Sequence, residues 1–198
     1  MRARPLKLFL FLSAVCSPAA AQWHLGTELT ANTYRGTARD TSSTHVTPNG
    51  GPGGGPAFSL LVNRTWKRIG ATLRVSYANP GFAVTSPELR VIDKTTGTLV
   101  EVTSLVSTQV GGIGPSGAVR VEMGPALHLW NFSGEDRTRL GGVGAAVYEW
   151  PVSSRFTGSV RLEGSASSSW FNATEVPPDF ERHLTWRYGV GLGLRYRL

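Results

Sequence analysis

Cysteine is almost missing from this 198-residue chain, with Cys16 its sole representative. Val15 precedes it and Ser13 lies three before it, where a lipoprotein signal would want a small residue and a leucine. Lipidation is therefore not expected. A chain with one thiol also cannot be an extracellular module stapled by internal disulfides, so pairing and packing must hold it. Long apolar runs are scarce as well. The longest, LFLFLSAV at 8–15, falls far short of the roughly 18 to 20 residues a spanning helix needs. It follows Arg2, Arg4 and Lys7 and precedes Ala19, Ala20 and Ala21, the layout of a secretory signal peptide cleaved before Gln22. Residues 1–21 are thus read as a leader and 22–198 as one domain, with no composition break inside it. The leader takes three basic and no acidic residues from the formal charge of +7 and leaves +4, so the high pI is partly the leader's.

Strict alternation is what the rest of the chain offers. In LTWRYGVGLGLRYRL, the last residues, Leu184, Trp186, Tyr188, Val190, Leu192, Leu194, Tyr196 and Leu198 share one face of a strand. Thr185, Arg187, three glycines, Arg195 and Arg197 share the other. Trp23, Leu25, Thr27, Leu29 and Ala31 repeat the pattern against His24, Gly26, Glu28, Thr30 and Asn32, as do Phe58, Leu60 and Val62. Ile69, Ala71, Leu73, Val75 and Tyr77 oppose Gly70, Thr72, Arg74 and Ser76 without exception. A fourth strand has Val100, Val102 and Val106 against Glu101, Thr103 and Ser107. A fifth has Val119, Val121, Met123, Leu127 and Leu129 against Arg120, Glu122 and His128. Pro125 lacks a ladder donor and predicts a bulge or break there. Val143, Ala145 and Val147 give the apolar face of a weaker sixth strand, and Phe156, Val160, Leu162 and Ala166 that of a seventh. The terminal segment makes eight, and no stretch of 22–198 shows a convincing helical period.

The connections fall at 35–56, 67–68, 80–97, 111–117, 131–139, 151–155 and 171–182, long and short in turn. Membrane barrels segregate tight periplasmic turns from long external loops in that way. The first connection contains HVTPNGGPGGGP at 45–56, too rich in Gly and Pro to pack a core and expected to be mobile.

Alternation alone does not say which face is inside. Strands of about 10 to 13 residues, tilted near 45°, span the roughly 25 Å apolar band of an outer membrane. Trp23, Trp66, Tyr77, Trp130, Trp150, Trp170 and Tyr196 fall near strand ends, where bilayer interfaces favour aromatic rings. Glu28, Arg74, Glu101, Arg120, Glu122, Arg161, Glu163, Arg187 and Arg195 share the polar face, and the apolar face is nearly free of charge. Charges of both signs inside a narrow lumen must pair, and eight strands leave room for side chains only. The expected fold is all-β: an up-and-down antiparallel eight-stranded transmembrane β-barrel with long external loops, short periplasmic turns and a lumen plugged by an Arg/Glu network.

In this pattern, and most specifically in YGVGLGLRYRL, the chain resembles the small outer-membrane β-barrel proteins of Gram-negative bacteria, of the OmpX type and the OmpA membrane-domain type. The resemblance implies residence in the outer membrane as a monomer, with lipid and lipopolysaccharide as surroundings. It also implies a last strand read by the barrel-assembly machinery; here Leu198 is terminal and Tyr196 lies two before it. With nothing after that strand, an OmpA-like peptidoglycan-binding domain is not expected.

The residues that could carry chemistry were weighed in turn. His24 and Glu28 share a face but lie about 13 Å apart along a strand, too far for a base and its orienting acid. Some eight-stranded barrels modify lipid A through a His-x-Ser pair, yet His128 is followed by Leu129 and Trp130. No catalytic, cofactor or metal site is assigned: His24, His45, His128 and His183 form no cluster with ligand spacing. GVGLG and GGVGA lack the lysine and the strand-turn-helix setting of a phosphate loop. Arginines that alternate into a strand face of an exported chain do not suit nucleic acid. Arg35, Arg39, Arg137 and Arg139 border the long loops, where a guanidinium fork could pair with lipopolysaccharide phosphates. Three readings follow, in order: a structural or surface-interaction barrel, an outer-membrane lipid-modifying enzyme, and a soluble lipocalin-like carrier.

Overall fold

The computed structural model describes residues 21–35, 38–40, 49–85, 90–93, 97–132, 134–172 and 180–198. The leader through Ala20, with Cys16, and also His45 lie outside the described residues. The strands are β1 (Ala21–Arg35), β2 (Ala38–Asp40), β3 (Asn49–Pro52), β4 (Gly55–Trp66), β5 (Ile69–Ala78), β6 (Phe82–Thr85) and β7 (Arg90–Asp93). They continue as β8 (Gly97–Ile113), β9 (Gly117–Phe132), β10 (Glu135–Pro151), β11 (Phe156–Ser167), β12 (Phe180–Arg182) and β13 (Thr185–Arg197). Eight of them close an antiparallel barrel in the order β1-β13-β11-β10-β9-β8-β5-β4, and no helix is present among the described residues.

Closure is made by the two strands whose alternation is strictest. In the β1–β13 ladder His24 lies opposite Arg197 and Arg35 opposite Trp186, and the Leu198 N–H donates to the Trp23 carbonyl at 3.0 Å. First and last strand therefore meet at the end that carries the 67–68, 114–116 and 152–155 turns. Tight turns mark the periplasmic side of membrane barrels. Pieces of the long connections pair above the opposite rim as a second sheet, β12-β2-β3-β6-β7.

Burial follows the alternation. β5 reads exposed-buried without a break from Ile69 to Ala78. Leu29, Leu60, Leu73, Met123, Leu162 and Leu192 all stand more than half exposed on the outside, while Glu28, Arg74, Glu101, Glu122 and Arg161 are buried within. Such a surface is stable against hydrocarbon and would be a liability in water.

Three expectations need correction. The third long loop, expected at 131–139, is a tight hairpin, because β9 runs to Phe132 and β10 starts at Glu135. Gly134 takes φ 85° there, a conformation glycine adopts without steric cost. Asn49–Pro52, expected to be part of a mobile loop, form β3 and pair with Phe82–Thr85 of β6. At Pro125 the expected local break is present, since Thr103 pairs Ala126 and Val106 pairs Met123 while Ser104 and Leu105 between them do not pair with β9; the register is the same on both sides, and the bulge of β8 lies at Val110. Beside the proline, a Cβ on Gly124 would collide with the Ser104 carbonyl oxygen, so glycine lets the two strands pass closely. Finally, β10 faces the other way: Val143, Ala145 and Val147 are buried inside, with Glu149, while Tyr148 and Trp150 turn outward. Both faces of the strand are apolar from Val143 to Tyr148, so its charges decide the orientation: Glu149 turns inward to its arginine partners, in phase with the buried Arg137.

Candidate functional site: the filled lumen

Inward-facing positions converge on a column of ion pairs. At the periplasmic end Arg120 Nε meets Glu149 Oε2 at 2.9 Å, and Arg195 Nη1 contacts the other oxygen of Glu149. Arg195 also lies 3.8 Å from Glu122. Next along the axis, Arg161 joins Glu122 at 2.5 Å, Glu28 at 2.9 Å and Glu163 at 3.9 Å. Arg74 then bridges Glu28 at 3.1 Å, Glu163 at 2.6 Å and Glu101 at 3.3 Å. Arg187 completes the column with Glu101 at 2.7 Å and Glu163 at 2.7 Å, and His128 Nε2 lies 2.9 Å from Glu101. The five arginines and five glutamates balance in charge, which is the condition for burying them at all. All nine residues expected on the luminal face meet here. Glu149 and His128 lie outside that expected set; the parity of β9 already placed His128 inward, whereas the reversed reading of β10 hid Glu149.

Glycines on β13 make this packing possible. A Cβ on Gly191 would fall 2.8 Å from Thr30 Oγ1, and one on Gly193 would fall 2.6 Å from Ser159 Oγ. The room they leave is thus taken by small polar side chains and by Glu28.

Above the ionic column the lumen is closed by rings. Trp130 and Trp170, 1% and 0% exposed, pack edge-to-face at 5.8 Å among Tyr34, Phe82 and Phe132. This corrects their expected place at the membrane interface. Trp130 shares the parity of Arg120, Glu122 and His128, so the pleat sends it inward; Trp170 folds in with the segment after β11. Phe82 belongs to β6, which ties the external sheet to the barrel mouth. Arg137, also expected at lipopolysaccharide, is buried instead, with its guanidinium 5.1 Å from the Phe132 ring and 3.0 Å from Glu135. Arg139 donates to the Ser169 carbonyl at 2.7 Å, the Trp170 carbonyl at 3.2 Å and Asn172 Oδ1 at 2.7 Å, clamping the same segment. Arg35 is exposed on the outer face at the external rim, and the Arg39 side chain lies outside the described residues.

The other aromatic positions stand on the outer face at two levels. Trp23, Trp66, Trp150 and Tyr196, joined by Tyr148 and Phe156, surround the periplasmic end; Tyr77, joined by Phe58, Trp186 and Tyr188, lies towards the external end. The periplasmic mouth holds a polar recess of about 340 Å³ with His24, Asn63, Lys67, Arg120 and Glu149 among its walls. His24 Nδ1 there is 3.4 Å from Thr65 Oγ1. Among the described residues no three His, Cys, Asp or Glu side chains group as a metal site.

No family model and no curated protein matches the sequence. Among solved structures the chain is similar to the Neisserial surface protein A, with 8% identity, a TM-score of 0.50, and coverage of 90% of this chain and 99% of that one. It also matches the N-terminal β-barrel domain of Pseudomonas aeruginosa OprF, at 9% identity, TM-score 0.48 and coverage of 89% and 99%. A further match is Ail, the attachment invasion locus protein of Yersinia pestis, at 10% identity, TM-score 0.39 and coverage of 89% and 97%. Identities this low speak to fold alone. That fold is the small eight-stranded β-barrel of the outer membrane. Within the class, this chain is a filled cylinder, an ionic column capped by an aromatic layer.

Proposed function

We propose that this chain is a surface protein of the bacterial outer membrane that works through its external face and conducts nothing through its lumen. The observation that carries this reading is the lumen itself. Trp130 and Trp170 cap the external end, and fully buried arginines and glutamates fill the middle, which leaves no continuous aqueous path for a porin. The second sheet beyond the rim offers an edge-bearing surface where simple loops would give none, which favours an interaction role over a purely structural one. Residues 1–21 act in this reading as the cleaved export signal, the barrel stays monomeric, and the assembly machinery reads β13. Arg35 and Arg39 are the contacts to lipopolysaccharide phosphates; Arg137 and Arg139 are dropped from that role because the fold uses them internally.

The test is fractionation followed by planar-bilayer recording of the purified protein. Recovery in the outer-membrane fraction, heat-modifiable mobility and no steady conductance are expected. Long-lived open channels would overturn the sealed-lumen reading, and recovery as a soluble periplasmic protein would overturn the location.

A further inference from the structure

A charge stands on the outer surface at the periplasmic level too, as Arg35 does at the external rim. Arg64 lies on the lipid-facing side of β4, opposite Trp23 of β1, at the periplasmic level. Its guanidinium carbon sits 5.1 Å from the Trp23 ring and 4.9 Å from the Trp66 ring. Two indole faces hold the flat cation, and such contacts use its faces while leaving the in-plane N–H donors free. Those donors have no carboxylate to meet: Arg64 Nε and Trp66 Nε1 are buried without a hydrogen-bond partner, and Arg64 joins no ion pair among the described residues. Every arginine of the luminal column, by contrast, contacts at least one glutamate.

Two residues further into the membrane, about 7 Å along the same strands, Leu25 and Val62 begin an apolar groove of about 500 Å³. Thr27 and the Gly26 backbone form its floor, with Leu60, Leu194 and Tyr196 among its walls. The short side chain of Thr27 leaves the depression among Leu25, Leu60 and Leu194.

A donor cluster lacking an anion, set at headgroup depth at the end of an acyl-sized groove, has the chemistry of a lipid. We propose that Trp23, Arg64 and Trp66 bind the phosphate of one phospholipid of the periplasmic leaflet, with an acyl chain lying in the groove floored by Thr27. Charge complementarity selects a phosphate-bearing lipid, and the periplasmic level selects the leaflet. The inference rests on the membrane orientation proposed above.

Native mass spectrometry of the full-length protein, released from mild detergent after addition of phosphatidylglycerol, tests it. Wild type should retain one lipid, and Arg64→Gln should weaken retention by about tenfold, the scale of one charge-assisted hydrogen bond. Thr27→Phe, which fills the groove but keeps the cation, should weaken it too. Outer-membrane recovery and heat-modifiability should be unchanged in both variants, so their loss would strike the membrane reading and not this one. Equal retention by Arg64→Gln, or equal binding of diacylglycerol, would overturn the phosphate assignment. Competition by inorganic phosphate at millimolar level, with Thr27→Phe unaffected, would overturn the lipid assignment.

Discussion

Replacing Arg161 by methionine is the sharpest perturbation of the column. Arg161 is 0% exposed and stands at its centre, 2.5 Å from Glu122, 2.9 Å from Glu28 and 3.9 Å from Glu163. Methionine fills a similar volume but leaves Glu122 with only Arg195, at 3.8 Å, and gives the lumen one unbalanced negative charge. Breaking a buried pair from one side costs about 3–5 kcal/mol, mostly the penalty of the stranded partner. Adding Glu122→Gln restores the balance, so the double variant should recover a large part of that loss even though it makes fewer ion pairs. Arg161→Lys, which keeps the charge and loses the fork, should fall between. Urea titration in vesicles, followed by mobility on unheated gels, reads all three. A single variant within about 0.5 kcal/mol of wild type, or a double variant worse than the single, would refute the reasoning and indicate a hydrated, screened lumen.

Further outcomes follow from the same structure. Trp170→Ala should cost about 3–5 kcal/mol as a buried aromatic deletion and should leave swelling of proteoliposomes unchanged, because the ionic column still fills the lumen beneath the cap; faster swelling would show that the column alone does not seal. Gly124→Val should block folding, because its Cβ would strike the Ser104 carbonyl in the neighbouring strand; normal heat-modifiability would contradict the close strand approach. Arg139→Ala should leave the barrel's unheated mobility intact yet speed protease cleavage near 168–172 on whole cells, since three hydrogen bonds to that segment are lost. Unaltered cleavage would mean that the clamp is redundant.

The barrel was legible because its strands are strictly periodic where one face meets lipid. β5 and β13 carry a clean parity, and so their faces and inward charges could be read directly. β10 carries apolar residues on both parities, since Ala146, Tyr148 and Trp150 oppose Val143, Ala145 and Val147, and over that stretch Glu149 alone separates inside from outside. The misplaced tryptophans share another cause. Nearness to a strand end was allowed to outweigh parity, although Trp130 sits in phase with Arg120, Glu122 and His128. Trp170 follows β11, and nothing local tells a ring that dips into the mouth from one that lies on the rim. Arg64, and the clamping role of Arg139, were invisible for a related reason: one is defined by rings across the strand, the other by carbonyls thirty residues away in sequence.

Spin labels placed singly at Leu60, Leu73, Met123, Leu162 and Leu192 of the vesicle-reconstituted protein measure the central claim with least disturbance, since all five side chains are on the outer face. The account predicts frequent collisions with oxygen, which partitions into hydrocarbon, and few with a water-soluble nickel chelate at every position. Ready access by the chelate at these sites would place the leucine face in water and contradict it.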